Sequence, residues 1–105
     1  MDLAASCYPL TRALLAQRHF DLSRQIFRAA ISVPANIAEG HGRSSDRDFA
    51  RFLDIAMGSL REVETLVILA ERLHLAKQAT VAELLKQTDE VGRVLHGLRR
   101  SKRAE

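Results

Sequence analysis

The sequence predicts an all-α protein, an antiparallel up-down-up-down four-helix bundle with a short first helix. Three observations carry this. Apolar residues recur at steps of three and four in four separate stretches, the spacing of helices that bury one stripe. No run alternates with period two for long enough to make a strand. The apolar content of 47% is dominated by Leu, Ile, Val and Ala, with no Trp and few aromatics, and such side chains suit closely packed helices.

Leu3, Cys7, Leu10 and Leu14 form the first stripe and predict a helix over about residues 2–13, with Pro9 limiting it because proline lacks the amide donor and clashes with the preceding turn. Leu22, Ile26, Ala29, Val33 and Ile37 predict a second helix over about 17–40. Gly40 and Gly42 are placed to end it in the left-handed conformation. Ser44 and Ser45 mark a turn, and Ser45 with Asp48 three residues on makes a capping-box-like start for a third helix over about 45–74. Its stripe is Phe49, Phe52, Ala56, Leu60, Val63, Val67 and Ala70. The pattern lapses around His74–Ala79, and Thr80 is the expected N-cap, with Glu83 following, of a fourth helix over about 80–100 striped by Val81, Leu84, Thr88, Val91, Leu95 and Leu98. Short connections make sequential helices antiparallel neighbours.

At 105 residues the chain is expected to be a single domain, 1–105, with a basic C-terminal tail from about residue 99. No apolar run approaches the roughly 20 residues of a membrane span, the N-terminus lacks a leader pattern, and one cysteine makes no internal disulfide. These point to the cytoplasm. The net charge of +3 is unevenly placed. From Arg93 onward there are five basic side chains (Arg93, Arg99, Arg100, Lys102 and Arg103) and one acidic; the remainder holds 11 basic and 12 acidic residues.

Two groups of polar residues are candidates for a site. Arg28, Ser32, Asn36 and Glu39 step by 4, 4 and 3 along one face of the second helix, interrupted by Pro34 and followed by Gly40. Arg51, Ile55, Ser59 and Glu62 make a comparable stripe on the third, so Arg28 can meet Glu62, or Asn36 can meet Ser59. Such a network holds helices in register more than it adds stability; the alternative is a ligand pocket. Pro34 takes the amide from the bond to Ala30 and implies a kink. The second group is the basic end, Arg93, Arg99, Arg100, Lys102 and Arg103, whose clustered cations suit a phosphate backbone. Its plain alternative is a solvated helix end whose cations complement the helix dipole. No aromatic in that segment offers a stacking platform for bases.

Enzymatic chemistry is not expected. No nucleophile, base and orienting group stand together, and Gly40-His41-Gly42 lacks the rest of a phosphate loop. Glu71-x-x-His74 has di-iron spacing, but such a site needs a second copy and two more glutamates. His19, His41 and His96 have no ligand-like spacing. No cofactor or metal is expected.

The pattern Arg28-Ala29-Ala30, Ser32, Pro34-Ala35-Asn36-Ile37-Ala38-Glu39-Gly40, Arg43-Ser44, Phe49, Phe52-Leu53, Ala56, Gly58-Ser59-Leu60, Glu62 and Glu64-Thr65 closely resembles the small four-helix bundle family of the 23S rRNA intervening-sequence proteins. The resemblance implies a four-helix bundle assembled as a homopentamer. It is similar to the accessory variability proteins of diversity-generating retroelements, and so implies basic surfaces that bind RNA or DNA and a reverse-transcriptase partner. Family members carry a longer first helix with an aromatic-rich start, so the start here is expected to be truncated. The expected function is non-enzymatic nucleic-acid binding by an oligomer, as accessory to a nucleic-acid enzyme; the alternative is a protein-binding scaffold.

Overall fold

Four helices follow one another in the structure, a computed structural model that describes residues 3–102: α1 (Leu3–Ala16), α2 (Phe20–His41), α3 (Asp46–Arg72) and α4 (Gln78–Ser101). No strand occurs among the described residues. Consecutive helices are antiparallel, and the rod measures 47 × 21 × 18 Å. All four stripes face inward. Those of α1 and α3 are buried throughout, while Leu22, Ile37, Val91 and Leu98 lie half-buried at the margins of the stripes of α2 and α4. The core also takes Leu53 and Ala30, which lie beside the stripes rather than on them.

The helix ends show where local signals were overridden. Pro9 does not limit α1 but stands inside it. The missing amide would have bonded to the carbonyl of Ala5, and because both residues are exposed, solvent reaches that carbonyl. α1 therefore runs to Ala16 and stops at Arg18, whose φ of 67° is left-handed. There the His19 amide donates to the Leu14 carbonyl at 2.8 Å and the Arg18 amide to Leu15 at 3.0 Å, the crossed pair of a Schellman motif. α3 ends in the same way at His74 (φ 61°), with the Leu75 amide donating to Ala70 and the His74 amide to Glu71. Neither position is a glycine, so composition carried no stop signal. Conversely, neither Gly40 nor Gly42 is left-handed: Gly42 has φ −79°, and Gly40 is still within α2. Ser45 caps α3 as expected, accepting the Asp48 amide at 3.1 Å. Thr80 does not cap α4. Lys77 holds that position without a side-chain bond, and the helix begins two residues early.

Gly40 is required by packing. A Cβ there would lie 2.6 Å from Cδ1 of Phe49 and 3.1 Å from Cβ of Phe52, inside van der Waals contact. The end of α2 thus rests on the first turns of α3, setting the register of the α2–α3 hairpin, the most extensive helix pair.

The shortness of α1 has a consequence at this same end. Tyr8 meets Phe27, with ring centroids 5.8 Å apart, and the buried hydroxyl of Ser23 donates to the carbonyl of Thr11 at 2.8 Å. With that pairing, Leu3 lies opposite about residue 31 of α2, and α1 stops short of the second half of its neighbour. Beyond it, Phe49 and Phe52 meet polar side chains as well as the end of α2. His41 packs at 4.7 Å on Phe49, Lys102 lies over the same ring at 5.3 Å, and Arg43 and Arg51 lie over Phe52 at 4.8 and 4.5 Å.

Two measurements probe this packing. Gly40→Ala is expected to cost about 1–3 kcal/mol in urea unfolding, because Phe49 must shift in a filled core. Burial pushes the Cys7 thiol from its ordinary 9.0 up to about 11. The unfolded chain then loses its thiol proton before the folded one does. The stability associated with the neutral thiol is complete below pH 9 and is lost as pH rises toward 11. Cys7→Ala, though less stable overall, is expected to lack this part of the alkaline slope when unfolding is measured across pH 8–11.

Candidate functional site: a basic end and a polar seam

The polar seam runs between α2 and α3. Arg28 donates to a Glu62 carboxylate oxygen at 2.5 Å, one turn from the paired hydroxyls of Ser32 and Ser59 at 2.8 Å. Asn36 does not reach Ser59 directly. Its amide donates back to the carbonyl and hydroxyl of Ser32 at 2.8 and 2.9 Å, so the contact across the helices is relayed. Pro34 is half-buried within an uninterrupted α2. Glu39 does not cross to α3 but accepts from Arg43 at 2.6 Å, steadying the guanidinium that lies on Phe52. Arg28 and Glu62 keep side-chain exposures of 57% and 36%, which limits the pair to a small net contribution. The members of the seam bond chiefly to one another. A second link went unread in the sequence. The fully buried hydroxyl of Thr88 lies 2.7 Å from a Glu64 oxygen and 2.9 Å from the Leu85 carbonyl, tying α4 to α3.

Among the described residues the basic end is built from two helices. α4 continues to Ser101, so Arg99 and Arg100 occupy its last turn. Arg99 donates to Asp54 of α3 at 2.9 Å, and Lys102 approaches Asp46 at 3.6 Å. Arg93 pairs with Asp89 one turn back, on the exposed flank of α4. Arg100 is exposed with no carboxylate within 4.0 Å among the described residues, and Arg103 lies outside them. Sequence reasoning missed the other wall. Arg47 and Arg51 project from the first turns of α3, and with Asp48, Ala50, Asp54, Arg99 and Lys102 they line an open cleft of about 510 Å³. By spacing Arg51 shares a stripe with Ile55, Ser59 and Glu62. It instead lies on Phe52 and 3.9 Å from Asp48. The signal that was available is the four-residue spacing of Arg43, Arg47 and Arg51 around the start of α3, which places Arg47 and Arg51 on one helical face.

Elsewhere the surface carries apolar side chains. Phe20, Leu69 and Leu73 are exposed at the opposite end of α2 and α3, where they line one shallow groove, and Phe20 also lines a second with Tyr8, Leu15 and Phe27. No described group of three or more His, Cys, Asp or Glu is arranged to hold a metal. His74, the second member of Glu71-x-x-His74, is the exposed left-handed residue that stops α3. No described helix is long and apolar enough to cross a membrane.

The sequence matches the family model of the 23S rRNA-intervening sequence protein over residues 1–97. A solved structure of a protein of unknown function from the S23 ribosomal protein family of Bacteroides thetaiotaomicron superposes with a TM-score of 0.89 at 26% identity, covering 93% of this chain and 92% of that one. No curated protein matches significantly.

For the seam, Ser59→Ala is expected to cost about 1 kcal/mol by denaturant unfolding, since it leaves the half-buried Ser32 hydroxyl with one partner fewer. A double-mutant cycle on Arg28 and Glu62 is expected to give a coupling below about 1 kcal/mol, because both groups remain in contact with water.

Proposed function

This chain belongs to the 23S rRNA-intervening sequence protein family, and on that premise we propose that it is a non-enzymatic module that binds RNA or DNA through the basic end of the bundle. The observation that carries the reading is the meeting of cations from two helices. Arg47 and Arg51 of α3 stand across one cleft from Arg99 and Lys102 of α4, with Arg43 and Arg100 nearby. Phosphate contacts of this type give affinity with little sequence information. Self-association, read as a homopentamer, repeats the basic end around a ring, and multivalent contact raises avidity by about 10²–10⁴ when one strand spans several copies. The apolar side chains Phe20, Leu69 and Leu73 lie away from the cleft and supply an assembly surface that leaves it open. A cytoplasmic accessory role beside a reverse transcriptase or another nucleic-acid enzyme fits a ring that holds a strand without cutting it.

One set of contacts favours a second reading, a protein-binding scaffold. Arg93, Arg99 and Lys102 each already face a carboxylate, which lowers the field available to a polynucleotide. Salt dependence separates the two. Binding of a single-stranded RNA, followed by fluorescence anisotropy between about 50 and 200 mM salt, is expected to weaken linearly in log–log form. The double variant Arg47→Gln/Arg51→Gln is expected to weaken it further and to reduce the slope by about 1–2. Absence of binding at low salt leaves the scaffold reading. In the same experiments, sedimentation of a strictly monomeric species at micromolar concentration overturns the ring.

A further inference from the structure

Within the basic end, the cleft between α3 and α4 has the form of a discrete site rather than a diffuse charged face. Its floor is the small side chain of Ala50, buried between the helices, so groups above it have room. Two of its cations are held in place from behind. Arg51 rests on Phe52 at 4.5 Å and Lys102 on Phe49 at 5.3 Å, so the rings steady their positions while their carboxylate partners stand no closer than 3.6 Å. Arg99 is held from the side, through its Nε, by Asp54. Since that bond uses one of its five N–H donors, the terminal nitrogens remain available.

The carboxylates here are weakly committed. Asp54 is 61% exposed and touches Arg99 through one oxygen, Asp46 is 3.6 Å from Lys102, and Asp48 is 3.9 Å from Arg51. An exposed pair of this type contributes little, and water readily takes either partner. A phosphate group carries more acceptor oxygens than a carboxylate and engages guanidinium groups from several directions at once. With four cations around the cleft, exchange of carboxylate for phosphate gains bonds on both walls.

We propose that this cleft is a phosphate-binding site worked by carboxylate exchange. A phosphate group bridges Arg51 of α3 and Arg99 of α4, displacing Asp54, which in the empty site acts as a built-in competitor. Arg47 and Lys102 close the two sides. This rests on the nucleic-acid reading for its biological ligand, a phosphodiester, but the chemistry applies equally to a free phosphate.

The test uses the full chain at low ionic strength, titrated in parallel with inorganic pyrophosphate, a short oligouridylate, and acetate at matched ionic strength, with amide NMR shifts reporting location and affinity. Pyrophosphate is expected to shift amides in the first turns of α3 and the last turn of α4. Asp54→Asn is expected to tighten that binding by about 2–5-fold, the strength of an exposed ion pair, whereas Arg51→Gln weakens it. Tightening by Asp54→Asn is the decisive readout, because a phosphate bound away from this cleft would be screened from Asp54 and would bind unchanged. Equal shifts with acetate, shifts centred elsewhere, or unchanged affinity in Asp54→Asn overturn the site. Pyrophosphate binding without oligouridylate binding keeps the site and removes the nucleic-acid reading. Oligouridylate binding that weakens in Arg51→Gln but is unchanged in Asp54→Asn removes the exchange and keeps that reading.

Discussion

The contact on which the rest of the structure depends is the seating of Gly40 against Phe49 and Phe52. With no Cβ at that position, the end of α2 comes close enough to the first turns of α3 for the two rings to form a floor beneath it. This sets the α2–α3 register, and through it the meetings of Arg28 with Glu62 and of Ser32 with Ser59 farther along the seam. With Ser45 capping the start of α3, it also bears on where Arg47 and Arg51 stand relative to the end of α4. A bundle interior is packed like a crystal, so a displacement at one end is not absorbed locally but carried along the helix pair.

The same rings link packing to charge. The end of α2 lies on one side of Phe49 and Phe52, and His41, Arg43, Arg51 and Lys102 pack on the rings as well. Long cationic side chains suit this task, since the stem or the flat guanidinium face shields the ring while the polar edge stays in water. Positive charge therefore gathers where the apolar core is least enclosed. The carboxylates of Asp46, Asp48 and Asp54 hold these cations apart and neutralise part of their field. The result is an ordered set of cations, less electropositive than the composition of the last turn suggests but more precisely placed.

Membership of the 23S rRNA-intervening sequence protein family and the close superposition on a solved S23-family structure place the chain in a fold rather than in a chemistry. The functional argument therefore rests on the surfaces. Two lie at opposite ends of the bundle: the basic cleft, and the apolar side chains Phe20, Leu69 and Leu73. On a rod 47 Å long they lie apart, so the proposed assembly and the proposed ligand contacts would use different residues.

By itself, the sequence determined the four helices, their order and their inward faces, because the 3.6-residue period is a local property that any amphipathic helix must show. Ser45 as a cap and the polar stripes of Arg28, Ser32, Asn36, Ser59 and Glu62 were legible for the same reason. The tertiary structure decided what depends on neighbours distant in the chain. Gly40 is there for close approach and not for a turn, and Arg18 and His74 end helices that no glycine marks. Pro9 is tolerated because its freed carbonyl partner faces water. Above all, Arg99 and Lys102 belong with Arg47 and Arg51, some 50 residues earlier in the chain. Spacing along one helix cannot show this, since the cleft exists only where the register of two helices brings their ends together.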